Sequence, residues 1–131
     1  MNIYLDIDGV LLANDKQAAN HAHEFLEFIV SKYPTYWLTT HCHGDASTAV
    51  ERLALIFPPE TIELCKKILP TDWDIAKTEG IDFSQDFLWF DDDLFPDEKA
   101  DLLKNKALDK WIEVYLYKDP NHLKLLIEHL R

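Results

Sequence analysis

The chain is poor in cysteines and basic residues and has no long apolar run, and each shortage excludes a class of protein. Two cysteines, Cys42 and Cys65, cannot form the disulfide framework of a small secreted scaffold, so reduced thiols and a cytoplasmic location are expected. Thirteen basic residues against 24 acidic ones give a formal net charge of −11, which argues against binding of long nucleic acids. No stretch has the length of a membrane span, and no signal-peptide pattern is present, so no membrane partner is expected.

The composition that remains is that of a folded domain, with 47% hydrophobic and 28% charged residues, and the length predicts one domain over residues 1–131. Short apolar runs alternate with helical patterns. We expect strands at 3–7, 35–39, 68–69, 87–91 and 111–117, and helices from Asn14 or Asp15 to Tyr33, from 44 to 57, over 60–66, near Lys77, from Pro96 to Leu103 and after Asp119. This alternation predicts an α/β three-layer sandwich with a central, mostly parallel, Rossmann-like sheet.

The chain is organised around its first strand, an apolar run that ends on two aspartates. Asp6 and Asp8 are spaced i, i+2, and Gly9 follows at once. An apolar run of this kind fits a strand buried on both faces, and ligands of open α/β sheets bind at the carboxyl ends of such strands. Strand alternation would point the two carboxylates the same way, and carboxylates that converge need a cation, a proton or strong donors.

A second apolar run, residues 87–90, also ends in acids, Asp91, Asp92 and Asp93. Because the carboxyl ends of parallel strands meet at one edge, the two acidic groups are expected to lie together. Their oxygens favour Mg²⁺ over zinc. The expected metal ligands are Asp6, Asp8, Asp91 and Asp92, with the choice among the three consecutive aspartates left open.

Four motifs in a fixed order resemble those of the haloacid-dehalogenase-like hydrolases. They are Tyr-Leu-Asp6-Ile-Asp8-Gly9, Tyr-Trp-Leu-Thr39, Lys77-Thr78 and Leu-Trp-Phe-Asp91-Asp92. The resemblance covers residues 3 to about 97. The first and fourth motifs are specific, whereas the middle two gain weight only from their position.

The resemblance implies a Mg²⁺-dependent phosphatase with a role for each motif. Asp6 would be the nucleophile that forms an aspartyl phosphate, and Asp8 would be the general acid and base. Thr39, or its neighbour Thr40, would bind the phosphoryl oxygens, and Lys77 would neutralise charge on Asp6 and the phosphate. Asp92, supported by Asp91, would complete the metal site with Asp6 and the backbone carbonyl of Asp8.

Two other readings stay open. A receiver-like phosphoacceptor domain has the same size, sheet and acidic Mg²⁺ site, but its lysine comes last, whereas Lys77 precedes the second acidic cluster. A non-catalytic relative would bind partners through its acidic face. His41-Cys42-His43 lacks a fourth zinc ligand at a recognised spacing, so a loop beside the site, with one side chain near the substrate, is expected instead.

The intervals between the motifs predict a small member of the superfamily without a cap domain. Residues 9–34 and 41–76 must supply helices, a strand and connections, and neither interval can also hold a cap that folds alone. The site should therefore open to solvent. A macromolecular substrate, such as a phosphoprotein or a nucleotide-like end group, or a partner subunit that acts as a lid, would then supply the missing contacts.

Overall fold

The computed structural model describes residues 1–131, which form a parallel sheet flanked by helices. In chain order the strands are β1 (Asn2–Leu5), β2 (Leu12–Asn14), β3 (Gln17–Ala18), β4 (Thr35–Trp37), β5 (Phe87–Asp91) and β6 (Trp111–Glu113). The helices are α1 (Ala22–Lys32), α2 (Ser47–Ala54), α3 (Pro59–Cys65), α4 (Pro96–Lys104) and α5 (His122–Leu130), with single 3₁₀ turns at Lys77–Gly80 and Leu108–Lys110.

The central sheet has the strand order β4-β1-β5-β6, and all of its pairs are parallel. Leu5 of β1 lies opposite Trp37 on one side and Phe90 on the other. From β1 the chain runs to β4 and then crosses to β5 on the opposite side, so the strand order reverses at β1. Such a switch point leaves a crevice at the carboxyl ends of the strands.

Helices cover both faces of the sheet, which confirms the predicted α/β three-layer architecture. Ile3 and Leu5 point into the larger core, where they meet the buried sides of α1, α2, α3 and α5. Tyr4 and Trp89 point into a smaller core beneath α4. The alternation of β1 between two apolar layers explains why this strand reads as an unbroken apolar run.

The helix predicted from Asn14 or Asp15 is wrong in its first turns, because residues 12–18 form a β-hairpin. Leu12 pairs with Ala18, and the Asn14 side chain accepts the backbone N–H of Lys16 at 2.9 Å, which closes the turn. An Asn side chain that bonds two residues ahead favours a turn over a helix. The helix begins only at Ala22 and ends before Pro34, as predicted.

Most of the other elements lie where the sequence predicts them, but several strands are shorter than expected. The strand expected at 111–117 ends at Glu113, since Tyr115 donates its N–H to His122 Nδ1 and the chain turns into α5. The strand expected near 68–69 is a single bridge between Leu69 and Tyr36 at the edge of β4. The longest helix has 11 residues, and no helix has the length and apolar character needed to cross a membrane.

Candidate functional site

Three neighbouring strands carry predicted site residues at their carboxyl ends. Asp6 directly follows the central strand β1, Thr39 lies two residues beyond β4, and Asp91 is the last residue of β5. The three residues therefore sit along one edge, at the point where the strand order reverses. This is the position at which open α/β sheets bind ligands.

A cluster of three carboxylates forms the centre of this edge. Asp6, Asp91 and Asp92 each offer one oxygen, and these oxygens all lie within 4.8 Å of one another. Asp6 and Asp91 are buried, whereas Asp92 is exposed. The carboxylate of Asp93 instead accepts the backbone N–H of Leu94. A compact set of hard oxygen donors fits Mg²⁺, with water and substrate oxygens available to complete an octahedron.

The cluster disfavours its own negative charge. Burial, reinforced by the charge of Asp6, raises the pKa of Asp91 to about 9, although the Lys77 ammonium acts in the opposite direction. Burial and then the charge of Asp6 also raise the pKa of Asp92. Without a cation the charged form of these two carboxyl groups is disfavoured, and a divalent ion at the cluster would offset that penalty.

Lys77 contacts two of the three carboxylates in the cluster. Its Nζ lies 2.7 Å from Asp91 Oδ2 and 3.4 Å from Asp6 Oδ2, and the side chain is only 12% exposed. Burial lowers the pKa of Lys77, but the charges of Asp6 and Asp91 outweigh it and leave the pKa above its ordinary value. The ammonium form is therefore fixed beside the nucleophile that the sequence predicts.

Two acidic residues that the sequence did not predict, Glu98 and Asp101, hold the turn that begins at Lys77 in place. The buried Glu98 accepts the backbone N–H of Lys77 at 3.0 Å with one oxygen and that of Phe95 at 3.1 Å with the other. Thr78 donates its hydroxyl to Asp101 at 2.6 Å. Pro96 at the first helical position followed by Glu98 at the third is a helix-start signal, which could have identified this glutamate.

The Asp8 carboxylate lies outside the three-carboxylate cluster, although the sequence analysis included Asp8 among the metal ligands. Its side chain is 52% exposed, and its Oδ2 is 2.8 Å from His41 Nε2. The strand ends at Leu5, and the backbone N–H groups of the next turn converge on the carbonyl of Ile7, so strand alternation does not extend to position 8. A metal contact through the Asp8 backbone carbonyl stays a prediction.

The two threonines differ in exposure. Thr39 is buried, and its Oγ1 accepts the backbone N–H of His41 at 3.3 Å, which leaves its own hydroxyl proton available for an acceptor. Thr40 is exposed. The structure therefore places Thr39 at the strand end and Thr40 at the surface beside it.

The His41-Cys42-His43 loop contacts three separate partners and does not converge on a metal. His41 meets Asp8, the buried Cys42 thiol donates to Thr71 O at 3.6 Å, and His43 Nδ1 lies 2.8 Å from Trp73 O. His41 is the side chain of this loop that contacts a predicted site residue, and its proximity to a substrate stays a prediction.

No cap domain is inserted between the motifs. Residues 9–34 form the hairpin and α1, and residues 41–76 form α2, α3 and loops. Ala49, Leu53 and Cys65 from the second interval belong to the larger core below the sheet.

Beside Asp92 lies a cavity of about 460 Å³, lined also by Lys99 and Trp111.

Comparison with known proteins gives no match to a protein-family model, to a curated protein or to a solved structure. The functional assignment of this chain therefore depends on the chemistry of the site itself.

Proposed function

We propose that the chain is a Mg²⁺-dependent phosphohydrolase that acts on phosphate monoesters through an aspartyl phosphate on Asp6. The observation that carries the proposal is the position of the Lys77 ammonium, held between Asp6 and Asp91 beside the three-carboxylate cluster. A structural ion pair needs one acid for one base. Three carboxylates beside a single lysine leave negative charge uncompensated. A site that binds a further cation explains this excess better than a structural ion pair does.

This arrangement answers the main difficulty of phosphoryl transfer, which is that a carboxylate must approach a phosphate that is also negatively charged. Lys77 Nζ lies 3.4 Å from Asp6 Oδ2, so it would also be within reach of a phosphoryl group that Asp6 attacks. Mg²⁺ bound by Asp6, Asp91 and Asp92 would supply the remaining screening of charge on the phosphoryl oxygens.

The proposed reaction has two steps that balance. A carboxylate oxygen of Asp6 attacks phosphorus, the bond from phosphorus to the ester oxygen breaks, and Asp8 donates a proton to that oxygen. Water then attacks the phosphorus of the acyl phosphate, gives a proton to Asp8, and releases inorganic phosphate and free Asp6. The contact with His41 supports the role of Asp8, because it orients the carboxylate away from the metal cluster.

The substrate is proposed to be larger than a simple metabolite. Asp8 and Thr40 are exposed, and no cap domain is present to enclose a small ester. An open site offers few remote contacts from which to draw binding energy. We therefore expect a KM at or above about 1 mM for small phosphomonoesters. The KM should be lower for a phosphoprotein or a nucleotide-like end group, or when a partner subunit covers the site.

The test is a screen of phosphorylated compounds with Mg²⁺ and with EDTA, followed by the lifetime of any phosphoprotein formed. A phosphohydrolase releases inorganic phosphate repeatedly and only with Mg²⁺. A receiver-like domain would keep a stable phosphoryl group on Asp6 and release little phosphate. A non-catalytic relative would do neither, and either result would refute the proposal.

A further inference from the structure

An apolar groove runs beside the open edge of the sheet. β6 pairs with β5 on one side and with no strand on the other. Next to it lies a groove of about 510 Å³, and eight of its eleven lining residues are hydrophobic. Leu88, Phe90 and Ile112 line it from the sheet, and Leu125, Leu126 and Leu130 line it from α5. An open strand edge next to apolar surface is a template for association.

The charge of the chain is distributed so that this region is neutral. Residues 111–131, which supply β6 and α5, hold three acids and three bases: Glu113, Asp119, Glu128, Lys118, Lys124 and Arg131. The formal net charge of −11 therefore falls on residues 1–110. Two copies of the chain repel each other through most of their surface, but they can meet at the β6–α5 region without that repulsion.

We propose that the occupant of this groove is a second copy of the chain, in a symmetric dimer in which α5 of each copy lies against the groove of the other. Leu125 supports this arrangement, because it lines the groove and is still 40% exposed. A twofold interface joins a patch to itself, so apolar surface meets apolar surface and neutral surface meets neutral surface.

A head-to-tail arrangement is less favourable. It would place the groove of one copy against another part of the second copy, where the acidic residues lie. Carboxylates would then lose water against leucine side chains without gaining a partner. None of the residues Asp6, Asp91 and Asp92 lines the groove, so the dimer leaves the candidate site open. The inference of a dimer therefore does not depend on the proposed function.

The first measurement is the mass of the full chain by sedimentation velocity, from about 10 to about 500 μM, at low and high NaCl. We expect a monomer–dimer equilibrium in which the dimer fraction increases with salt, because salt screens the repulsion between two chains of charge −11. A monomer throughout this range would overturn the proposal, and so would a dimer that salt dissociates, since that behaviour indicates an interface held by opposite charges.

The second measurement compares Leu125→Asp with Leu103→Asp, because Leu103 is 56% exposed on α4 and does not line the groove. We expect Leu125→Asp to weaken dimerisation at least about 100-fold, since each of the two copies introduces a charge into the interface, and Leu103→Asp to leave it unchanged. Leu125→Ala, which is less disruptive to folding, should weaken it at least about tenfold.

Circular dichroism and thermal melting are the controls that each variant is folded. Equal dimerisation by the Leu125 and Leu103 variants would refute the groove as the interface. A monomeric wild type that binds an apolar dye in the groove, with no change in mass, would assign the groove to a different ligand and also refute the proposal.

Discussion

The carboxylate of Asp92 fills the space in which a side chain at position 9 would begin. Gly9 has a φ of +78°, and a Cβ built on it would overlap the carboxylate of Asp92. The first acidic stretch and the second are therefore in direct contact, with no room for any residue but glycine between them. This contact links the turn after β1 to the proposed metal ligand directly after β5.

Replacing Gly9 by alanine should disturb the proposed metal site as well as the backbone. The left-handed conformation costs an alanine about 1–2 kcal/mol, and the Cβ must also displace Asp92. We expect a lower melting temperature and a smaller stabilisation by Mg²⁺. Gly44→Ala is the matched control, because Gly44 has a φ of +84° but a Cβ there would lie 3.6 Å from Asp72, an ordinary contact. If Mg²⁺ raises the melting temperature of both variants equally, Gly9 does not affect metal binding.

Mg²⁺ should raise the melting temperature of the protein if it binds the folded carboxylate cluster and not the unfolded chain, as the proposed function requires. Asp92→Ala should abolish this rise and, in EDTA, melt at or above the wild-type temperature, since one of three mutually repelling groups is gone. Asp93→Ala should behave as wild type, because Asp93 lies outside the cluster. Loss of the Mg²⁺ effect in Asp93→Ala but not in Asp92→Ala would show that the ligand is misassigned.

Glu98 should matter for activity although it is buried and away from the carboxylate cluster. In Glu98→Gln the amide group must face one of the backbone N–H groups of Lys77 or Phe95, which costs about 1–3 kcal/mol of stability. A shift of Lys77 by about 1 Å would reduce turnover by roughly 100-fold. Asp97→Asn is the control, since Asp97 is exposed next to it.

A readout that needs no substrate is the rate at which an acylating reagent modifies Lys77, measured by mass spectrometry. Lys77 should react slowly in the wild type and in Asp97→Asn, and faster in Glu98→Gln, while the other lysines are unchanged. Unaltered Lys77 reactivity in a folded Glu98→Gln protein would contradict a positioning role.

His122 should make the fold sensitive to mild acid. Its Nδ1 accepts the N–H of Tyr115 at 3.1 Å, and burial lowers its pKa below the ordinary 6.5. The unfolded chain therefore binds this proton at a higher pH than the folded chain does, so the free energy of unfolding falls as the pH falls through this range. Denaturant titrations between pH 7.5 and pH 5.5 should show this loss in the wild type and a smaller loss in His122→Asn. If the free energy of unfolding falls equally with pH in the wild type and in His122→Asn, the assignment of this loss to His122 is refuted.

The sequence predicted those parts of the fold that local patterns determine. The runs that became β1 and β5 are apolar because the strands are buried, and the acids at their ends mark the carboxyl edge. The sequence did not predict the hairpin at residues 12–18, in which Leu12 pairs with Ala18. The helical pattern that continues from Ala22 favours an earlier helix start, at Asn14 or Asp15.

The candidate site was predictable in its residue types but not in its geometry. Asp6, Asp91 and Asp92 come together because β1 and β5 are neighbours, and Lys77 joins them from a 3₁₀ turn. The contact of Asp8 with His41 and that of Glu98 with Lys77 join segments 33 and 21 residues apart, and no local pattern encodes which segments meet. The hydrogen bonds that orient a site are therefore the features that only the structure supplies.

The nucleophile is tested most directly by trapping it during turnover. The protein is mixed with Mg²⁺ and a phosphate ester that it hydrolyses, quenched in acid and reduced with borohydride, which converts an aspartyl phosphate into homoserine. We predict homoserine at position 6 by mass spectrometry, its absence in EDTA, and a loss of turnover of at least about 100-fold in Asp6→Asn with the fold retained. Turnover that leaves Asp6 unmodified, modification of Asp91 or Asp92 instead, or near wild-type rates in Asp6→Asn would contradict the account.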